Sequence, residues 1–262
     1  MAKMCCLGSN NKMTMTIRET VDYLRALDSL TAQLPRESLR LFFIPSFTAL
    51  SAASACAGGI DLGAQNMCWE ERGQFTGEVS PLMLREVGVS IVEIGHSERR
   101  HIFGETDEMA NRKVLCALSH GFTPLLCVGE TAEQRACGIA DEILRIQLIR
   151  GLRGVSAADA GRLMVAYEPV WAIGAGGTPA APDYAGEKHA VLRQTLCALF
   201  GPAGAEIPLL YGGSVNLENC GPLALLPEVD GLFIGRSAWE PAGFYRIIQT
   251  VLPIFSLKNG PC

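Results

Sequence analysis

The sequence predicts one (β/α)8 barrel that spans residues 1–262. Two observations predict this fold class. Short, β-prone apolar runs alternate with longer helical patterns, and each of eight such runs is followed by a helical segment. Strict alternation favours a parallel sheet with right-handed crossovers, and eight units without a break favour a closed barrel over an open sheet. The length also fits, because barrels of this kind run to about 250 residues as one domain.

The elements follow one another in a regular order along the chain. The strand candidates are apolar runs too short to form helices of their own. They are residues 4–7, 39–44, 60–63, 91–94, 124–128, 163–167, 208–211 and 231–234. The helical segments that follow them are residues 17–34, 48–57, 81–87, 108–120, 132–152, 183–200, 217–226 and 244–251. Ala-rich and Gly-rich patches at 52–59 and 201–205 are predicted as helix ends and turns, so no domain boundary is expected there.

Composition excludes several classes of partner. Hydrophobic residues make up 48% of the chain and charged residues 19%, which is typical of a globular protein with a large core. A net charge of −5 argues against nucleic acid or an anionic membrane surface as a partner. No apolar run approaches the roughly 20 residues that a membrane span needs. A small anionic substrate, held by backbone N–H groups and one lysine, is compatible with this composition.

Cysteine usage predicts a reducing compartment. The sequence has 10 cysteines, but it lacks a signal-peptide pattern and a CxxC pair. Many of the cysteines lie in apolar runs, where a reduced cysteine behaves as a small hydrophobic residue. These are Cys5, Cys6, Cys116, Cys127 and Cys197. We therefore predict a cytoplasmic location, no metal and no cofactor.

Residues 163–177 predict a strand, a reactive group and a lid in that order. Glu168 follows the apolar run, which Pro169 ends because proline has no N–H for a sheet. Trp171 belongs to a stiff hinge, and the glycines from Gly174 onward let the backbone approach a ligand closely. Taken alone, Glu168 is better explained as a solvated carboxylate at a strand end.

Other polar residues also follow strands, where barrels carry their active sites. Asn10 and Lys12 come after the first strand, two residues apart and therefore on one side if the backbone stays extended. His96 follows the fourth strand, with Ser97 and Glu98 beside it. Each of these residues is, by itself, more often structural or solvated than catalytic.

Two glycine-rich turns follow the last two strands. After the seventh strand, which ends at Tyr211, the sequence Gly-Gly-Ser reaches Ser214 and predicts an anion-binding nest before the next helix. After the eighth strand, Gly235 and Arg236 predict a second nest. Such turns are weak evidence by themselves, since turns use glycine anyway.

Taken together, the motifs resemble the triosephosphate isomerase family along the whole chain. They occur in that family's order and spacing: AQN at 64–66, FTGE at 75–78, GHSERR at 95–100, FGE at 103–105, CVGE at 127–130, AYEPVWAIG at 166–174 and YGGSV at 211–215. The resemblance implies a (β/α)8 barrel that isomerises a hydroxy-ketone phosphate through an enediolate.

The resemblance also implies a role for each site residue. Glu168 would be the base, His96 the electrophile that polarises the carbonyl, and Lys12 and Asn10 the groups that stabilise the developing charge. Phosphate would be bound by Gly174, Ser214, Gly235 and the backbone of Arg236. Supporting positions would be Glu98, Ser97, Cys127 and Tyr211. A homodimer is implied as well, because the family's loop after the third strand enters the neighbouring subunit. Residues 65–78 match that loop, and Trp69 and Phe75 are apolar residues on an otherwise polar segment.

Three departures from the family pattern bear on the substrate. Asn11 stands where a tryptophan is usual, with its side chain expected to point away from those of Asn10 and Lys12. The lid reads AIGAGGTPA, in which Ala175, Gly177 and Pro179 alter the usual sequence, and Arg236 replaces a glycine. The segment GRSAW and its surroundings resemble the L-erythrulose-1-phosphate isomerase branch, which produces D-erythrulose 4-phosphate. Two alternatives stay open: the interconversion of dihydroxyacetone phosphate and D-glyceraldehyde 3-phosphate, and a non-catalytic barrel that binds a phosphorylated metabolite.

Overall fold

The structure, a computed structural model, describes residues 3–174 and 177–259. Eight parallel strands pair in chain order and close into one barrel, as predicted. The strands are β1 (Cys5–Asn10), β2 (Leu39–Ile44), β3 (Asp61–Ala64), β4 (Ile91–Ile94), β5 (Thr123–Val128), β6 (Met164–Tyr167), β7 (Leu209–Tyr211) and β8 (Gly231–Ile234). Closure is made by β1, which pairs with both β2 and β8.

Helices surround the sheet. They are α1 (Ile17–Thr31), α2 (Leu50–Ser54), α3 (Pro81–Glu86), α4 (Ser97–Ile102), α5 (Asp107–Ser119), α6 (Ala132–Ala136), α7 (Ala140–Gly151), α8 (Pro182–Phe200), α9 (Pro202–Glu206), α10 (Cys220–Leu225) and α11 (Pro241–Asn259). Short 3-10 helices cover Phe47–Ala49, Ala160–Arg162, Val170–Ala172 and Arg236–Ala238. Within the described ranges, no helix combines the length and the apolar character that crossing a bilayer requires.

Several predicted boundaries were wrong. The single helix expected over 132–152 is two helices, α6 and α7, because Gly138 between them takes a φ of +74° that ends the first. The polar segment after β4 forms α4, and the glycine-rich patch after α8 forms α9, although neither was predicted as a helix. The strand β1 runs on to Asn10, so this residue ends the strand rather than following it.

Side chains alternate between two apolar cores along each strand. One core lies between the sheet and the helices and contains residues such as Leu24, Val92 and Ile247. The other fills the barrel interior and consists of Cys6, Phe42, Ile44, Ile91, Leu125, Cys127, Met164, Ala166, Leu210 and Phe233. Continuing this alternation towards the carboxyl ends of β1, β4 and β6 brings Asn10, Glu93 and Glu168 to the inner face. These polar groups therefore lie directly above the apolar core that fills the barrel interior.

The amino end of the barrel carries ion pairs instead. Arg40 donates to Asp61 at 2.7 Å between β2 and β3. The buried Arg193 of α8 pairs with Asp230, which directly precedes β8. The two ends of the barrel are thus chemically distinct, and the carboxyl end brings Glu168, His96 and Lys12 together.

Candidate active site

A cavity of about 370 Å³ opens at the carboxyl ends of the strands. Nine of the twelve predicted site residues line it: Asn10, Lys12, His96, Glu98, Glu168, Gly174, Ser214, Gly235 and Arg236. The remaining three, Ser97, Cys127 and Tyr211, lie behind this lining. The nine lining residues come from β1, β4, β6, β7 and β8 or the segments that follow them, and the closed barrel brings them together.

Glu168 follows β6 and is 3% exposed. Its Oε2 accepts a hydrogen bond from the Ser97 backbone N–H at 3.3 Å, and its Oε1 lies 3.7 Å from Nε2 of His96. Gly212 leaves room for this side chain, since a Cβ added there would lie 3.0 Å from Cγ of Glu168. Ser97 thus contributes through its backbone, and the carboxylate and the imidazole face each other.

His96 directly precedes α4, and its ring is oriented by that helix. Nδ1 accepts the Glu98 backbone N–H at 3.2 Å, so a neutral ring carries its proton on Nε2, the nitrogen nearest Glu168. Helix α4 therefore has a direct use in the site: its first turn fixes the tautomer of the imidazole. A proton on Nε2 suits a group that donates to a substrate oxygen.

A buried carboxylate holds the turn before His96 in place. Glu105 accepts from the Gly95 backbone N–H at 2.9 Å and from Arg99 and Lys113 at 2.7 Å each. Burial would raise the pKa of Glu105, but the ion pairs with Lys113 and Arg99 outweigh it and the pKa is lowered. The FGE segment thus supports the turn that carries the imidazole.

Asn10 and Lys12 meet in the pocket for a different reason from the one predicted. Lys12 has a φ of +53°, a left-handed conformation that is rare for residues other than glycine, so the backbone is not extended here. Asn10 Oδ1 accepts from the Lys12 backbone N–H and from Nε2 of Gln65, the latter at 3.1 Å. Nζ of Lys12 forms a 2.6 Å ion pair with Glu98.

The neighbours of this turn lie outside the pocket or support it. Asn11 is fully buried and is not part of the cavity lining, but its Oδ1 accepts at 3.0 Å from the same Nε2 of Gln65 that bonds Asn10 Oδ1, so the two side chains do not point apart as expected. Trp239, which lines the cavity, donates its indole N–H to the Asn10 carbonyl at 2.9 Å. Gln65, from the AQN segment, therefore ties the turns after β1 and β3 together.

Glu93 is the residue that the sequence interpretation missed. It lies on the inner face of β4, is 1% exposed, and its Oε2 accepts from Nδ2 of Asn10 at 2.6 Å. Burial raises the pKa of Glu93 to about 7, His96 acts to lower it, and Glu168 raises it further. The signal was present in the sequence, because a lone glutamate occupies the same face as Ile91 in an otherwise apolar strand.

Three side chains in the site come close enough together to be considered for a metal ion. Possible ligand atoms of Glu93, His96 and Glu168 lie within 4.8 Å of one another. Glu93 is already bonded to Asn10, and Glu168 to the Ser97 N–H. These hydrogen bonds account for the cluster, and we do not assign the three residues as metal ligands.

The opposite end of the cavity offers backbone donors. Within residues 3–174 and 177–259, the N–H groups of Ser214 and Gly235 have no hydrogen-bond acceptor. Gly213 has no space for a side chain, because an added Cβ would overlap the hydroxyl of Tyr211. Burial raises the pKa of that phenol to about 12, so it stays neutral under the turn.

Arg236 fits the second turn without strain. In the described part of the chain, Lys12 is the one residue other than glycine with a positive φ. Arg236, which replaces a glycine of the family pattern, therefore does not have to adopt the left-handed conformation that a side chain disfavours. Arg236 begins a 3-10 helix, and its exposed side chain reaches the cavity lining. The replacement therefore adds a cation beside the free N–H of Gly235.

The base of the lid is anchored on Glu130. This fully buried carboxylate accepts from the indole N–H of Trp171 at 2.8 Å and from the hydroxyls of Tyr184 at 2.9 Å and Tyr167 at 3.1 Å. The guanidinium of Arg135 lies 4.0 Å above the Trp171 ring. The predicted hinge is thus a short 3-10 helix held by hydrogen bonds.

The return of the lid needs a glycine. A Cβ at Gly177 would overlap the backbone of Ala172. This overlap gives a steric reason for the glycine at a position where the sequence departs from the usual family pattern. Gly174 lines the cavity with a φ of +87°. Ala175 and Gly176, the other residues of this part of the lid, lie outside the described residues.

A closed (β/α)8 barrel with a carboxylate, an imidazole and a lysine at the carboxyl ends of its strands defines a barrel enzyme. The chain belongs to the triosephosphate isomerase family, whose model, described as Triosephosphate isomerase, matches residues 5–251. It is therefore an isomerase of that family, as the motifs predicted.

Similar proteins carry two different names. The chain is 45% identical over 249 residues to an L-erythrulose-1-phosphate isomerase of Rhizobium etli, covering 94% of this chain and 91% of that protein. It is 43% identical over 251 residues to an L-erythrulose-1-phosphate isomerase of Rhizobium meliloti, covering 94% and 96%. It is also 43% identical over 246 residues to a triosephosphate isomerase of Thermoanaerobacter sp. (strain X514), covering 93% and 98%. Identity alone does not choose between the two substrates.

Proposed function

We propose that this chain isomerises a short-chain ketose phosphate through an enediolate, and that its substrate is L-erythrulose 1-phosphate, which becomes D-erythrulose 4-phosphate. One observation carries the enediolate chemistry. The Glu168 carboxylate faces Nε2 of His96 across 3.7 Å at one end of a cavity whose other end offers the free N–H groups of Ser214 and Gly235. A substrate whose hydroxyl-bearing carbon lies against Glu168 and whose carbonyl oxygen lies against His96 can lose a proton while its phosphate is held at the far end.

Each step has a group to perform it. Glu168 takes the proton from the hydroxyl-bearing carbon next to the carbonyl and returns it to the former carbonyl carbon, so that the carbonyl moves by one internal carbon. His96 donates from Nε2 to the oxygens as charge develops on them, and Asn10 and Lys12 stabilise that charge. The left-handed backbone at Lys12 fits this role, because strained conformations persist where the surrounding structure over-determines them, and they cluster at active sites.

The phosphate is assigned to the backbone donors at the opposite end. Ser214 and Gly235 offer unpaired N–H groups, and Gly174 and Arg236 complete the cradle when the lid closes. Closure excludes water from the enediolate, whose phosphate would otherwise be eliminated. A cavity of about 370 Å³ is in the usual range for small ligands and admits a chain of three or four carbons, so its volume does not select the substrate.

The remaining predicted residues act through others. Ser97 holds the carboxylate of Glu168 with its backbone N–H, and Glu98 pairs with Lys12. Cys127 lies below the site with its Sγ 4.0 Å from Glu93, and Tyr211 supports the Gly213 turn. We assign these residues to positioning.

The substrate choice is supported by the names of the Rhizobium relatives and by Arg236 in the second phosphate turn. The test is a side-by-side assay of kcat/KM with L-erythrulose 1-phosphate and with dihydroxyacetone phosphate. We expect the tetrulose phosphate to be favoured at least roughly tenfold, because a group of methylene size is worth ~1–3 kcal/mol of discrimination. Faster conversion of dihydroxyacetone phosphate at equal sub-saturating concentrations would instead establish the triose reaction, to which the Thermoanaerobacter relative points.

A non-catalytic barrel that binds a phosphorylated metabolite is the competing class. It would need the phosphate cradle but not the opposed carboxylate and imidazole. Exchange of carbon-bound substrate hydrogen with deuterated water separates the two, because only an enzyme with a base can catalyse it.

We further propose that residues 1–262 form one domain and that the protein is cytoplasmic. The cytoplasmic location is supported by cysteines such as Cys5, Cys6 and Cys127, which are buried as thiols in the apolar cores.

A further inference from the structure

A second carboxylate lies within the proton-transfer site without touching the cavity. Glu93 is on the inner face of β4, one layer below the lining, and is 1% exposed. Around it the barrel interior is apolar, with Ile91, Leu125 and Phe233 among its residues. Burying an ionisable carboxyl here costs stability unless it is protonated or strongly bonded. A position that only filled space would be better served by an apolar side chain.

The contacts of Glu93 lead directly to the reacting groups. Its Oε2 accepts from Nδ2 of Asn10 at 2.6 Å, a distance typical of a charge-assisted hydrogen bond. Asn10 Oδ1 is in turn held by the Lys12 N–H and by Gln65, so both ends of this amide are fixed. A carboxylate oxygen of Glu93 also lies within 4.8 Å of ligand atoms of both His96 and Glu168.

We propose that Glu93 is a positioning residue for the isomerisation: its ionised carboxylate holds the Asn10 amide in the orientation that meets the substrate oxygen and sets the charge beside Glu168 and His96. This inference rests on the proposed function. In this role, Glu93 gives β4 a direct part in the chemistry. The same strand also carries the turn that holds His96.

Titration of Glu93 then enters the reaction near neutral pH. The groups that face it are Lys12 after β1, His96 after β4, Cys127 on β5 and Glu168 after β6. Burial raises the pKa of the Cys127 thiol well above its usual range, so this group stays neutral. Glu93 itself, with a pKa of about 7, loses its proton as the pH rises through neutrality. The Asn10 hydrogen bond is charge-assisted only in the ionised form, so kcat rises with pH over this interval.

The test compares Glu93→Gln with the unmodified enzyme in kcat and KM from about pH 6 to 8, one unit on either side of that pKa. Gln keeps the shape and an oxygen for Asn10 but not the charge. We expect the inflection near pH 7 to disappear and kcat at pH 8 to fall roughly tenfold, as for weakening one hydrogen bond to a charged group. KM should change little, because Glu93 does not line the cavity. Asp61→Asn is the matched control, since Asp61 is a carboxylate at the opposite end of the barrel, and it should keep the inflection.

Thermal stability distinguishes the proposed positioning role from a purely structural one, because the two roles predict opposite changes in Tm for Glu93→Gln. The folded-state pKa of Glu93 lies above its ordinary value of 4.5, so the folded protein loses stability as the pH rises towards 7 and Glu93 ionises. Removing the buried charge should therefore raise the Tm of Glu93→Gln at pH 8. A residue that only braced the fold would lower Tm when replaced.

Two outcomes would overturn the inference. One is an active unmodified enzyme whose Glu93→Gln variant has the same kcat and pH profile. The other needs no variant: in enzyme labelled with carboxyl-¹³C glutamate, no carboxyl resonance titrates between about pH 6 and 8, the interval set by the pKa of about 7. If the unmodified enzyme converts neither substrate, the proposed function fails, and the positioning role fails with it; loss of the Glu93 effect alone leaves the proposed function standing.

Discussion

Single residues in this site gain their chemistry from the groups beside them. Glu168 and Glu93 are both buried carboxylates near one imidazole, yet they have different partners. Glu168 is held by a backbone N–H at the cavity wall, where it can reach a substrate carbon. Glu93 is held by the Asn10 side chain below that wall. Position relative to the cavity, rather than residue type, thus separates the proposed base from the residue proposed to support it.

Replacing Glu168 by glutamine tests the base directly. We expect Glu168→Gln to lower kcat by roughly 10²–10⁴, the usual loss for a positioned proton acceptor, because an amide of the same shape cannot take the proton. Phosphate affinity should stay nearly intact, since the cradle lies at the other end of the cavity. Kinetics and calorimetric binding of inorganic phosphate measure the two quantities.

The control for this substitution is Glu142→Gln, on an exposed part of α7. It makes the same chemical change far from the cavity and should leave both quantities unchanged. Near-normal turnover by Glu168→Gln would contradict the assignment of the base.

The residues that sequence reasoning found were those that belong to motifs. Glu168 and His96 stand in segments whose spacing could be compared, whereas Glu93 is one letter in a strand of four residues. The conformation of Lys12 had no sequence signal, because a positive φ at lysine is imposed by contacts with Asn10 and the neighbouring turn. Local patterns thus predicted the groups that we propose to react but not the tertiary contacts that orient them.

At the scale of elements, the eight strands were predictable because each is a short, largely apolar run that is buried on both faces. The short helix α4 was not, because its sequence, SERRHI, is polar and only six residues long. It forms because His96 accepts the Glu98 N–H at its start and because Arg100 bonds the Gly95 carbonyl at 2.7 Å. Capping and ion pairs, rather than hydrophobic periodicity, determine this element.

The base of the lid gives a prediction at the element scale. Trp171→Phe removes the indole N–H that donates to buried Glu130, a hydrogen bond to a charged group that contributes about 1.5–3 kcal/mol. We expect the free energy of unfolding to fall by about that amount. The amides of Ala172 and Ile173, which bond to Pro169 and Val170 within the same turn, should exchange with solvent faster. Denaturant titration and hydrogen exchange by mass spectrometry measure these effects.

Tyr184→Phe is the matched control for the lid. It removes a comparable 2.9 Å hydrogen bond to the same Glu130, but from α8. The control should lower stability while changing the exchange of Ala172 and Ile173 much less. Equal exchange in the two variants would show that Trp171 does not hold the lid in place.

At the scale of the whole molecule, the barrel separates its functions by end. The carboxyl end collects the polar site from five strands, and the amino end is closed by ion pairs such as Arg40 with Asp61. The loop after β3, residues 65–78, begins at the carboxyl end, where Gln65 bonds to Asn10. Its residues 71–78 are all exposed, including Phe75 at 43%. Trp69, expected to be exposed on the same loop, is instead partly covered by Arg112, whose guanidinium lies 4.2 Å from the ring centre.

We propose that this loop mediates a homodimer. Other apolar side chains are strongly exposed in the turns that follow strands or α4, among them Met13 at 95% and Phe103 at 66%. Apolar groups so exposed are typical of surfaces that a partner covers. We expect light scattering at micromolar concentration to give twice the chain mass of 28.1 kDa. Phe75→Glu should shift this mass towards that of one chain, because a charge on the covered loop would be buried without a partner.

The control for the dimer is Leu257→Glu, which places the same charge at an 86% exposed apolar position on α11. If exposure alone drove association, the two variants would behave alike. If the loop after β3 is the contact, only the Phe75→Glu variant dissociates. Its kcat should fall along with its mass, because the loop begins at Gln65, whose amide holds Asn10 and the Lys12 carbonyl in the site. A monomeric unmodified protein with full activity would refute the dimer and would leave the exposed loop without the function assigned to it.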